Sequence, residues 1–145
     1  MAASGYTTGE GSQGGRWLEL VDKGEEANFL FVPGIGELGL KCTQVAPNPA
    51  TSVQLTQHAG SAVFLTWGSY PDKQPTKVET AVLKADNESL AKGFGPTELG
   101  TGQIVIQASA VGTSVHTYAT ITASASVTEG FCRFQANYTV AQQRF

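Results

Sequence analysis

Charge is what this chain has least of. Asp, Glu, Lys and Arg make up 14% of its 145 residues, against roughly 25% in ordinary globular proteins. The gap is filled by Gly, Thr, Ser, Gln and Ala, a small-polar mixture that suits strands better than helices. The nine Lys and Arg are scattered singly and the net charge is -3. There is no basic stripe to neutralise a run of phosphates, so no direct nucleic-acid contact is expected.

Long apolar runs are also missing. No stretch approaches the roughly 18 apolar residues of a membrane span. The opening MAASGYTTGEGSQGG has neither a basic n-region nor an apolar h-region, so the expectation is a chain made and kept in a reducing cytoplasm unless it leaves by lysis. The matches to the glycosylation pattern at Asn87-Glu88-Ser89 and Asn137-Tyr138-Thr139 then carry no meaning, because that pattern is read only in secreted chains.

Residues for metal and redox chemistry are few. Cys42 and Cys132 are the only cysteines and lie too far apart for a CxxC motif. They read as two reduced core thiols, with a bridge between strands as the alternative. His58 and His116 are the only histidines, too few for a His-rich site and not spaced with Cys, Asp or Glu as a ligand set. No metal or cofactor is expected. Three aspartates, Asp22, Asp72 and Asp86, would allow a Ser-His-Asp assembly on paper, but there is no G-x-S-x-G elbow. Carboxylate pairs for glycoside hydrolysis are equally unspecific. The chain reads as a non-enzyme.

One stretch does imitate an enzyme motif. FLFVPGIGELG at 29–39 places Gly34, Gly36 and Gly39 in G-x-G-x-x-G order after an apolar run. A dinucleotide site would need a helix at the second glycine and an acid about 20 residues on. Instead the chain enters LKCTQV, an alternating segment, and holds no acid from Leu38 to Pro71. The glycines read as a turn between strands, with Pro33 fixing its entry and Gly supplying positive φ.

Apolar residues recur mostly at period two. Arg16 to Val21 and Asn28 to Val32 are short apolar runs separated by the charged turn DKGEE; Leu38 to Val45 alternates; SVQLTQ and AVFLTWGSY follow the break APNPAT. TKVETAVLKA reads as a strand, although a helical reading also fits, and ESLAK reads as one helical turn capped by Asp86 or Asn87,. Gln103 to Val111 is rich in Ile and Val. Ser114 to Val127 alternates with Val115, Ala119, Ile121, Ala123, Ala125 and Val127 inward and His116, Tyr118 and Thr120 outward. Phe131 to Val140 turns Cys132, Phe134, Ala136, Tyr138 and Val140 inward. Eight or nine such strands with Gly/Pro turns predict an all-β, antiparallel β-sandwich, of jelly-roll form.

Residues 1–15 hold five glycines and almost nothing apolar, a composition unable to offset its own ordering entropy. We read them as an N-terminal arm ahead of a sandwich domain at 16–145. The final strand reads as an edge defended only by Arg133, which favours symmetric association. Trp67 continues the inward set Val63, Leu65; exposed, it and Tyr70 would instead stack on sugars. Candidate partner contacts are Tyr6, Trp67, Tyr70, Arg133 and Phe145.

The arm at 1–15, with the strand series VQLTQHAGSAVFLTWGSY and TSVHTYATITASASVTEGFCRFQANYTV, resembles small structural proteins of tailed bacteriophages, most of all capsid decoration (cement) proteins. The resemblance implies a virion protein made in the host cytoplasm, placed on the capsid surface between capsomers. Its partners would be the major capsid protein and further copies of itself, as a homotrimer. A carbohydrate-binding sandwich, a tail or connector subunit and a jelly-roll coat protein are the alternatives.

Overall fold

The computed structural model describes residues 9–21, 25–43, 50–71, 76–93, 102–112, 114–128 and 131–144. They form ten strands: β1 (Gly9–Val21), β2 (Glu25–Val32), β3 (Gly36–Thr43), β4 (Ala50–Gln57), β5 (Val63–Pro71), β6 (Lys77–Leu83), β7 (Ser89–Gly93), β8 (Gly102–Val111), β9 (Val115–Thr128) and β10 (Phe131–Arg144). Among the described residues there is no helix, and so none long and apolar enough to cross a membrane. The strands build a six-stranded sheet, β1-β10-β9-β8-β5-β6, and a four-stranded sheet, β2-β3-β4-β7. Every pairing is antiparallel.

The two sheets bury one shared core between their facing sides. Strict alternation does the sorting: on β8 Ile104, Ile106, Ala108 and Ala110 are buried, and on β9 Ala119, Ile121, Ala123 and Ala125 are. In two cross-strand pairs a large residue meets a small one: Phe134 sits opposite Ala125 and Ile104 opposite Ala123. Burial of each Ile or Phe contributes about 1.5–3 kcal/mol. Trp67 is 1% exposed, which places it in the core with Val63 and Leu65, as the alternation requires.

The G-x-G-x-x-G stretch is a tight turn between β2 and β3. The Ile35 amide donates to the Val32 carbonyl at 3.1 Å, Gly34 has φ 77° and Gly36 has φ 156°. A β-carbon on Gly36 would overlap the Thr56 carbonyl of β4. The second glycine is therefore needed for close strand packing.

Several expectations are corrected. ESLAK is not helical: Asn87 adopts φ 66°, the Glu88 amide closes a turn on the Ala85 carbonyl at 3.1 Å, and Ser89–Gly93 pairs with β4 as β7. Residues 9–15 are the first half of β1 and pair with β10 from Gly9↔Gln143 to Gly15↔Asn137. β10 is thus an inner strand between β1 and β9, and the edges of its sheet are β1 and β6. Strands that are consecutive in sequence lie side by side as β2-β3-β4 and β8-β9-β10, a pair of meanders in place of the Greek keys of a jelly roll.

The reading of two reduced thiols is also overturned. Cys132 is fully buried and disulfide-bonded, and no described cysteine is free. The one other cysteine of the chain is Cys42, on β3 of the facing sheet. Sequence separation hid this relation because it is the sandwich that brings β3 over β10.

Candidate binding face of the six-stranded sheet

The outward side chains of the six-stranded sheet form cross-strand rows. One row runs Val82, Phe64, Ser109, Tyr118, Ala141. The next runs Thr80, Thr66, Gln107, Thr120, Thr139 in the same strand order. A third carries Val78, Gly68, Val105, Thr122 and Asn137. None of these positions bears a charge. The outward side of the smaller sheet, by contrast, carries Glu37 and Lys41.

Over the first two rows lies a groove of about 750 Å³, open to solvent. Phe64 is 49% exposed and Tyr118 47%, and the small Ser109 separates them. Strands lie roughly 4.8 Å apart, so the two rings rise about two strand spacings from each other with a low floor between. The Tyr118 ring meets the His116 ring edge-on, centroids 6.4 Å apart, which orients it. No hydrogen bond engages the side chains of Thr66, Thr80, Gln107, Thr120 or Thr139 among the described residues. Their donors and acceptors face the groove unspent.

The candidate contacts are not brought together. Trp67 is buried, and its Nε1 has no hydrogen-bond partner among the described residues. Tyr70 is 42% exposed and its ring lies 3.1 Å from where a β-carbon on Gly68 would sit, flat against the sheet. Arg133 is exposed at the margin of the same face, opposite Ser126, three strands from Tyr70. Tyr6 and Phe145 lie outside the described residues. Phe64, Gln107 and Thr139 had not been singled out, although the inward assignment of Val63 and Leu65 already turns Phe64 outward.

At one end of the sandwich His58 stands 3.7 Å from Glu37 and 4.0 Å from Asp86. These groups come from three separate loops and strand ends, so spacing in the sequence could not reveal them. The distances are too long for strong pairing, and no group of three metal-binding side chains exists among the described residues. A second concavity of about 600 Å³ lies at the same end. There the Gln142 amide donates to the Thr117 hydroxyl at 3.3 Å, which spends polar groups on each other.

The two edges of the larger sheet differ. β6 exposes Lys77 and Glu79, charges that discourage another strand from adding on. β1 from Gly9 to Gly15 reads GEGSQGG, with one charge and four glycines, and among the described residues pairs with β10 alone.

The fold thus defines an all-β sandwich whose larger sheet carries uncharged, partly aromatic rows on its outer face and, among the described residues, a glycine-rich edge strand. No protein-family profile, curated protein sequence or solved structure matches the chain.

Proposed function

We propose that this protein is a non-enzymatic structural component of a virion, a decoration protein that binds the capsid shell between capsomers and stabilises it. The observation that carries the reading is the open edge of β1. Its glycines present main-chain N–H and C=O groups with little side-chain cover, which suits strand addition by a neighbouring chain. Each added main-chain hydrogen bond contributes about 0.5–1.5 kcal/mol net, and repetition over a shell multiplies weak contacts into stable attachment.

Two features agree with this placement. A chain with few charges loses little by desolvation in a permanent contact. A disulfide at Cys132 suits a protein that works outside the reducing cell, as on a released particle. Association of the protein with itself, as a trimer, is the expected free form.

The test is attachment to shells purified from the same source. Gln13→Lys, at an exposed position of β1 opposite Thr139, places a cation beside this edge, and the variant should fold yet co-sediment with shells far more weakly than the parent chain. Imaging of particles with and without the protein should show density between capsomers only when it is present. Unchanged attachment of the variant, or no attachment of the parent chain, would remove the reading.

A further inference from the structure

We propose that the groove between Phe64 and Tyr118 binds a neutral, pyranose-based oligosaccharide. The inference is independent of shell attachment, which uses the β1 edge at the opposite side of the sheet from β6.

The chemistry of the lining selects the ligand class. A pyranose ring is amphipathic: its C–H face packs on an aromatic ring while its hydroxyls need donors and acceptors around the rim. The groove offers both. Phe64 and Tyr118 are half exposed, and Gln107, Thr66 and Thr120 lie in the adjoining row with no side-chain hydrogen bonds among the described residues. An amide and hydroxyls can each donate and accept, as a sugar hydroxyl does. The volume of about 750 Å³ falls in the range of small-ligand sites, about 300–1,000 Å³.

Other ligand classes fit less well. Among the described residues no Lys or Arg lines the groove, so a single-stranded nucleic acid would find rings to stack on but little to meet its phosphates. Acidic glycans lack a counter-charge for the same reason. A purely apolar ligand would leave the Thr and Gln groups desolvated without partners. An extended peptide would seek a strand edge, and the groove lies on the middle of the sheet. The absence of charge on either side is the complementarity that singles out a neutral sugar.

Affinity electrophoresis of the full chain through gels containing amylose, dextran, xylan or laminarin, with heparin as the charged control, tests this. At least one neutral gel should retard the protein, equally at low and high salt. Phe64→Ala and Tyr118→Ala should each weaken that retardation by about tenfold or more, and Phe64→Trp should keep it. Both positions are half exposed, so melting midpoints should barely move; a circular-dichroism melt of each variant checks this. Absence of retardation in all four neutral gels overturns the proposal. So does retardation unchanged in the alanine variants, or binding confined to heparin and abolished by salt. Co-sedimentation with shells is run in parallel: loss of shell attachment in Phe64→Ala would assign the groove to a protein partner and overturn the sugar, while failure on sugars with attachment intact leaves the decoration reading standing.

Discussion

Gly14 and Tyr138 face each other across the β1–β10 pair, and the phenol ring lies where a side chain on Gly14 would go, 2.5 Å from an ideal β-carbon there. The ring, packed against the core, covers a strand glycine that has nothing of its own to bury, the device of aromatic rescue. Gly14→Ala should therefore cost about 1–3 kcal/mol through overpacking, read by urea unfolding. In a Tyr138→Ala background most of that cost should vanish, because the pair is coupled. An additive result would show that the ring does not lean on Gly14.

The register of β9 makes a sharper test. Ile121 is fully buried while its neighbour Thr120 is exposed. Ile121→Asp buries an unpaired charge and should cost more than about 4 kcal/mol, enough to prevent folding. Thr120→Asp should fold and melt within a few degrees of the parent. The opposite order would mean that β9 is slipped by one residue and that His116 and Tyr118 point inward.

Such strands were legible because period two with one apolar face has a single physical solution. β1 was not. Gly9 to Gly15 lacks apolar and β-branched residues, so its periodicity says nothing, and it is a strand because β10 offers a partner. That one omission made β10 look like an edge. β7 was hidden differently: Ser89–Gly93 has helix-tolerant residues, and pairing with β4 overrides the local preference. The groove was half legible, since alternation turns Phe64 and Tyr118 outward but cannot say that β5, β8 and β9 lie side by side.

The disulfide at Cys132 gives a third prediction. A bridge removes conformational freedom from the unfolded chain, typically contributing about 2–4 kcal/mol. Cys132→Ser should lose about that much, and reductant should lower the melting temperature of the parent but leave the variant unmoved. Full reactivity of two thiols in the unfolded, unreduced protein would show that no bridge forms.

The last prediction concerns Gln57, a polar side chain with no exposed surface at the end of β4. Its amide nitrogen donates to the Ser61 carbonyl at 2.7 Å and to the Leu83 carbonyl at 3.0 Å, and its oxygen accepts from the Ala59 amide at 2.9 Å. Its main chain continues the tie, accepting from the Asn87 amide and donating to the Glu88 carbonyl at 2.9 and 3.0 Å. One residue thus fastens the turn before β5 and the turn after β6 to the smaller sheet. Gln57→Leu keeps the volume but leaves two carbonyls and an amide without partners, at about 1–3 kcal/mol for each group that water cannot reach. Gln57→Glu should be worse at neutral pH, because an ionised carboxylate would face two carbonyl oxygens in a buried site. Burial and those oxygens raise the pKa of the introduced acid above the roughly 4.3 of an unfolded chain. The sign follows: the folded state holds the proton more tightly, so stability is greatest below the unfolded pKa and falls as pH rises through the folded one. Urea midpoints of Gln57→Glu should therefore decline from pH 4 to pH 7 relative to the parent, while those of Gln57→Leu should track the parent at every pH. Parallel pH profiles for the two variants would show that position 57 is open to solvent and does not fasten the two turns.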